Sequence, residues 1–225
     1  MVIGFIPLRG GSKGIPFKNI RNFCGEPLCY WIIKEMCLSK DIDTIIVSTD
    51  SWIISNIISL FDIQNQDKII IHHRSKDTAQ DFSSTESVLL EVIYENISED
   101  TIIVMTQATT PYTKHYHFSE AISLYERDSS VVSCSRSHRF IWDKEGNANY
   151  DFYNRPRRQD WDGILIENGA IFISSVADIK KSNNRISGKI KIYEMSDYFI
   201  NEIDNYDDWN IAEYFMKRKV LWETK

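Results

Sequence analysis

Residues able to do chemistry gather first near the start of the chain. Arg9, Lys13, Lys18 and Arg21 stand among Gly10, Gly11, Ser12 and Gly14, and no acid appears before Glu26. Glycine has no Cβ, so the backbone there can turn sharply and approach a ligand closely. Successive N–H groups in such a turn converge on an anion. In a chain of formal net charge −6, this cationic turn suits a polyphosphate. Scattered bases on a solvated turn explain either component alone; their combination after the apolar run Val2–Ile6 favours phosphate. A second group is Glu202 and Asp204. At i and i+2 on a strand both side chains leave the same face, and paired carboxylates suit Mg2+, which completes its shell with phosphate and water. On spacing alone, a solvated edge face is the better account of this pair. A third group is the basic run Arg155-Pro156-Arg157-Arg158-Gln159.

The cationic loop needs a strand before it. Val2–Ile6 is rich in β-branched residues and ends at Pro7 and Gly10-Gly11, which predicts a short buried strand. Thr44–Ser48, Ile69–His73, Thr101–Thr106 and Val131–Ser135 read the same way. Between them lie helical patterns. Pro27 suits the first turn of a helix whose apolar face is Leu28, Trp31, Ile32 and Met36. Ser51–Leu60 is the next. Ser83 and Glu86 form a capping-box pattern before Val88, Leu89, Val92 and Ile93. Another helix is expected near His117–Arg127. Such alternation predicts a three-layer α/β fold, a mainly parallel sheet with helices on both faces. Ligands in these sheets gather at the carboxyl ends of the strands. Those ends carry the glycine-rich loop, Thr49-Asp50, Arg74, and Gln107 with Thr109, so distant segments point to one crevice.

The alternation fails between Ser137 and Gly163, a polar stretch with Trp142, Tyr150, Tyr153 and Trp161. It resumes at Ile164–Ser174, with a short helix at Ser175–Lys181 and strands at Lys189–Met195 and near Tyr198–Ile203. A final helix is expected over Asp207–Lys219, capped by Asp207 or Asp208.

At 225 residues the chain fits one large domain, 1–225, and its 43% apolar content supplies a sizeable core. The acidic balance argues against nucleic acid or an anionic membrane as partner. No apolar run approaches the roughly 20 residues a membrane helix needs. The chain enters a strand at once, without a leader pattern, so a cytoplasmic protein is expected. Cys24, Cys29, Cys37 and Cys134 lack C-x-x-C spacing and read as reduced core residues. His72 and His73 are adjacent and would face opposite sides of a strand, so all five histidines are read as non-metal.

The loop is neither a P-loop nor G-x-G-x-x-G. Pro7, Arg9, Gly10, Gly11, Ser12, Lys13, Gly14, Lys18 and Asn19 instead resemble the opening signature of the CMP-sialic acid synthetase family, the cytidylyltransferases that activate acidic sugars. The resemblance continues through Val47–Asp50, Arg74, Ser84-Thr85, Gln107-x-Thr109-x-Pro111, Val131–Ser133, Arg158-Gln159, Asn168–Ile173 and Glu202–Asp204. It implies a nucleotide-diphosphosugar-transferase-like fold and a protruding arm for homodimerisation, which matches the aberrant segment 137–163. Two positions depart from the family. Pro111-Tyr112-Thr113 stands where Pro-Leu-Arg is usual, and Glu202-Ile203-Asp204 where Asp-Ile-Asp is usual.

The resemblance implies CMP transfer from CTP to a sialic-acid-type 2-keto sugar acid, with Mg2+ at Glu202 and Asp204. Arg9 and Lys13 would meet the triphosphate with Gly10, Gly11, Ser12 and Lys18, and Asn19 would hold the ribose. Arg74 with Ser84 or Thr85 would read cytosine, whose O2 and N3 accept from a guanidinium. Gln107, Thr109, Arg158, Gln159 and Asn168 would take the sugar, an arginine pairing with its carboxylate. Activation of a legionaminic, pseudaminic or eight-carbon acid is the alternative within enzymes. A non-catalytic nucleotide-binding subunit is the alternative outside them, and it predicts loss of the loop or of the carboxylates.

Overall fold

In the computed structural model, which describes residues 1–80, 82–94 and 97–220, strands and helices alternate along most of the chain. The strands are β1 (Val2–Leu8), the two-residue pair β2 (Asn22–Phe23) and β3 (Glu26–Pro27), β4 (Thr44–Thr49), β5 (Ile69–His73), β6 (Ile102–Met105), β7 (Ser129–Ser137), β8 (Ile164–Ser175) and β9 (Lys189–Met195). The α-helices are α1 (Leu28–Leu38), α2 (Trp52–Ser59), α3 (Thr85–Tyr94), α4 (His115–Ser123), α5 (Val176–Ser182) and α6 (Tyr206–Phe215). Seven strands form one sheet in the order β5-β4-β1-β6-β8-β7-β9. All its neighbours pair in parallel except β8, which runs antiparallel to both β6 and β7.

Alternate side chains on a strand face opposite sides, and the two cores follow that period. Ile6, Leu8, Ile45, Val47, Val104, Ile171 and Ile173 pack with α1, α2, α4 and α6. Ile3, Phe5, Ile46, Ile103, Met105 and Phe172 pack with α3 and α5 on the other face. Gly4 lies on the first face, where an added Cβ would meet Met36 Sδ at 2.3 Å, so this glycine admits α1 close to the central strand. The four cysteines are free thiols, and burial pushes Cys29 up to about 12.

Several elements differ from expectation. No strand forms over Tyr198–Ile203. A 3-10 helix occupies Asp197–Ile200 and irregular chain follows. Phe199 is buried edge-on against Tyr112, and the N–H groups of Asp204 and Asn205 donate to Asp208 Oδ2 rather than to a ladder. Glu202 and Asp204 therefore do not share a strand face. The α3 cap is Ser84, whose Oγ accepts from Ser87 N at 3.1 Å, one residue beyond the expected box. Ser83 donates to the Asp77 carbonyl and Glu86 pairs with Arg185. Pro27 sits at the N-cap of α1 and pairs with Asn22, instead of lying in the first turn. Helix α4 starts two residues earlier than expected and ends at Ser123. Asn205 caps α6, with Asp208 completing the box, and the helix gives way to a π turn at Met216–Val220. Residues 138–157 hold only an isolated bridge, Trp142 to Ala148, among turns and bends. Among the described residues, no helix is long and apolar enough to cross a membrane.

Candidate active site

The carboxyl ends of β1, β5 and β6 open onto one cavity of about 250 Å³. Arg9, Ser12, Lys18 and Asn19 line it from the glycine-rich loop, Arg74 from the end of β5, Ser83, Ser84 and Thr85 from the start of α3, and Gln107 and Thr109 from beyond β6. Parallel strands that end at one level place these segments side by side, although the sequence spreads them over a hundred positions.

The loop is braced from several sides. Gly10 N donates to Asp50 Oδ1 at 2.7 Å, and a Cβ on Gly10 would stand 2.9 Å from Ser51 Cβ. Asn19 is buried and its Nδ2 donates to the Arg9 carbonyl at 2.8 Å, which leaves its carbonyl oxygen to accept. No atom lies within 4 Å of a Cβ built on Gly11. Lys13 is exposed on the same loop.

Arg74 Nη2 donates to the Ser48 carbonyl at 3.1 Å, and its Nε is buried without a hydrogen-bond partner. Burial lowers the pKa of this guanidinium; Asp50 opposes the shift and Arg9 adds to it. Two arginines at one wall attract an anion. Glu91 holds the chain between β5 and α3, accepting from Ser75 N at 2.7 Å and from the Thr78 hydroxyl. No local pattern singles out Glu91, because its partners lie 13 and 16 positions away.

The acidic segment borders the same cavity. Thr109 Oγ1 bridges Gln107 Oε1 at 3.2 Å and Glu202 Oε2 at 3.4 Å. Burial raises the pKa of Glu202, and the neighbouring Asp204 raises it further. Asp204 is exposed, and its Oδ1 lies 3.4 Å from Lys18 Nζ. Among the described residues no group of three or more His, Cys, Asp or Glu is placed to hold a metal ion. A half-buried carboxylate with a raised pKa and a second carboxylate beside it nonetheless fit a divalent cation whose remaining ligands come from a nucleotide.

Arg158 lies elsewhere. With Arg136, His138, Arg139, Asp197, Tyr198, Ile200 and Asn201 it lines a second cavity of about 320 Å³. Ile200 and Asn201 line this second cavity, while Glu202, next in sequence, accepts from Thr109 at the first. Gln159 is exposed in the 3-10 turn Arg158–Asp160 and lines neither. Asn168 is fully buried at an irregularity between β7 and β8. Its amide is engaged by Ser133 at 2.6 Å and Ser135 at 3.0 Å. The next residue, Gly169, has φ +68, and its face is covered by the Glu202 carboxylate. An Asn-Gly pair inside a strand pattern is the signal that marks this bulge. Thr113 is also buried, its hydroxyl donating to the Thr110 carbonyl at 3.1 Å.

The profile of the family described as Cytidylyltransferase matches residues 3–220. The N-acylneuraminate cytidylyltransferase of Oncorhynchus mykiss is 36% identical over an alignment 222 positions long that covers 94% of this chain and 49% of that protein. The enzyme of that name from Streptococcus agalactiae serotype III is 28% identical over an alignment 218 positions long that covers 92% of this chain and 51% of that protein. The chain thus spans about half the length of these curated relatives. A CMP:2-keto-3-deoxy-manno-octonic acid synthetase solved with CTP has a similar fold, with TM-score 0.69, 15% identity and coverage of 97% of this chain and 99% of that one. The 4-diphosphocytidyl-2C-methyl-D-erythritol synthase of Anaerococcus prevotii superposes with TM-score 0.69, 14% identity and 96% of each chain covered.

Proposed function

The chain belongs to the cytidylyltransferase family, and on that premise we propose that it transfers CMP from CTP to the anomeric hydroxyl of a sialic-acid-type 2-keto sugar acid. The hydroxyl oxygen forms a bond to the α-phosphorus and gives up its proton to solvent, the bond to the β-phosphate oxygen breaks, and pyrophosphate leaves with that electron pair. The observation that carries this reading is the meeting of the cationic loop, Arg74, Ser84-Thr85 and Gln107 around one cavity, with Glu202 and Asp204 at its edge.

In this reading Arg9 and Lys13, with the backbone of Gly10 and Gly11 and the Ser12 hydroxyl, neutralise charge that develops on the leaving pyrophosphate, where fixed cations contribute most. Asn19 offers its free carbonyl oxygen to the ribose. Arg74 retains donors for cytosine, and the hydroxyls of Ser84 and Thr85 lie beside it. Glu202 and Asp204 would hold Mg2+, which supplies positive charge to the triphosphate when bound. The sugar occupies the ground between the two cavities, with Gln107 and Thr109 on one side. Arg158, which has no ion pair among the described residues, suits its carboxylate. Asn168 acts from within, by fixing the bulge that presents Gly169 to Glu202. Residues 1–225 would act as a single cytoplasmic domain, with 137–163 as the arm of a homodimer that brings Arg158 and Gln159 to a sugar site, its own or the partner's.

An eight-carbon acid is the second reading, favoured by the burial of Thr113, which leaves the pocket without the cation usual at that position. Pyrophosphate release with CTP and a panel of nine- and eight-carbon sugar acids tests both. Turnover with a nine-carbon acid and CTP, and little with ATP, is expected. Equal turnover with ATP, or none with any acid, would overturn the proposal.

A further inference from the structure

Lys18 lines the nucleotide cavity, yet its ammonium is engaged on the other side. Nζ donates to the Ile203 carbonyl at 2.5 Å and lies 3.4 Å from Asp204 Oδ1. The side chain is only 14% exposed, whereas that of Asp204 is 76% exposed. Four residues earlier, Gly14 meets the same segment. A Cβ there would fall 2.0 Å from the Asp204 carbonyl oxygen, so close approach of two backbones requires glycine at this position. The acidic segment has no ladder of its own. Its N–H groups at Asp204 and Asn205 go to Asp208. Ile203 is buried in the core beside Ile15, and Lys18 and Gly14 add the direct backbone ties between the segment and the loop, while Asn19, next in sequence, ties the same stretch back to Arg9.

We propose that Lys18 is a positioning residue. Acting through the Ile203 carbonyl and Asp204, it holds the two carboxylates in register with the glycine-rich loop, so that the phosphate-binding and cation-binding halves of the site form one unit. This rests on the function proposed above and assigns Lys18 to the carboxylates rather than to the phosphates. A hydrogen bond from a charged donor is among the stronger ones, and a carbonyl partner directs it at the backbone, which carries both neighbouring carboxylates with it.

The test uses Lys18→Met, which keeps length and removes the donor, with Gly14→Ala probing the same contact from the loop and Lys13→Met as the phosphate comparison. CTP binding is measured by calorimetry with EDTA and with saturating Mg2+, and amide exchange is followed at residues 202–205 in ligand-free protein. For Lys18→Met we expect CTP affinity in EDTA within about twofold of wild type, the gain on adding Mg2+ reduced about tenfold, and faster exchange at 204 and 205. Gly14→Ala should repeat this pattern. Lys13→Met should weaken CTP already in EDTA. If Lys18→Met weakens CTP in EDTA as Lys13→Met does and leaves exchange at 202–205 unchanged, the inference fails. A wild-type protein that binds no CTP overturns the proposed function instead, and the exchange measurement alone then decides whether Lys18 positions the segment. Should Lys18→Met not fold, Gly14→Ala with normal exchange and a normal Mg2+ response overturns the inference.

Discussion

Glu202 presents its carboxylate where a side chain at position 169 would have to stand. A Cβ built on Gly169 falls 3.0 Å from Cδ and from both carboxylate oxygens. The backbone there is also left-handed, at φ +68. Gly169→Ala should lower stability by about 1–2 kcal/mol and displace the carboxylate. Thermal melts and a Mg2+ titration of activity check both effects. Gly11→Ala, with no atom within 4 Å of the new methyl, should melt like wild type. Equal melts for the two variants would mean that nothing pins Glu202.

Glu202→Gln and Asp204→Asn keep shape and remove charge. Both should lose turnover on the order of a hundredfold or more at saturating CTP, because positive charge matters most where phosphate charge develops. Glu202→Asp should be tolerated. Wild-type behaviour of both amides across a Mg2+ titration would leave the acidic segment as a solvated face.

Lys13 is exposed, and exposed charges contribute little to folding. Lys13→Ala should therefore depress turnover on the order of a hundredfold while the melting temperature stays put. A collapse of the melt with normal specific activity in the folded fraction would make Lys13 structural.

In segment 137–163, proposed above as a dimerisation arm, Trp142, Phe152 and Tyr153 are 49%, 45% and 89% exposed, and aromatic residues are enriched at interfaces. Sedimentation should find a dimer at micromolar concentration, and Tyr153→Asp with Phe152→Asp should shift it to monomer. An active wild-type monomer would contradict the arm's role.

Acid should unfold the protein around the start of α4, where His117 packs on Tyr193 and Phe199 and Glu35 holds Lys114 and His115. Burial holds His117 at about 4, below its usual 6.5, so the folded state binds fewer protons than the unfolded state between these values. Stability therefore falls as pH falls through that window, by about 3 kcal/mol at most from this residue. Glu35 adds to the loss further down. Burial pushes its carboxyl up, but hydrogen bonds from Lys114 and His115 outweigh that and hold it low. His117→Gln should flatten the slope of denaturation midpoint against pH between 6.5 and 4; an unchanged slope would place the sensitivity elsewhere.

Much of this was legible in the sequence wherever the determinants are local. Ile69–His73 and Lys189–Met195 read correctly to the residue, because apolar pattern and turn signals bound them on both sides. The end of β1 and the turn after it were legible from Pro7 and the glycines that follow. Tyr198–Ile203 was not, since the pull of Tyr112 on Phe199 comes from a helix approach 87 positions earlier in the chain and overrides local β-propensity. The partner of Lys18 was equally hidden, as was the demand for glycine at 14 and 169: in each case the deciding atom belongs to residues 202–204.

The bond from Lys18 to Ile203 closes a loop of 185 positions. Closing so long a loop costs more chain entropy than any strand pairing within the first half of the sheet. Chains emerge from the ribosome N-terminus first, so β1, β4, β5 and β6 can meet while the acidic segment is still unsynthesised. In a growing chain, therefore, every segment that lines this cavity, up to Thr109, is made before Glu202 and Asp204 exist.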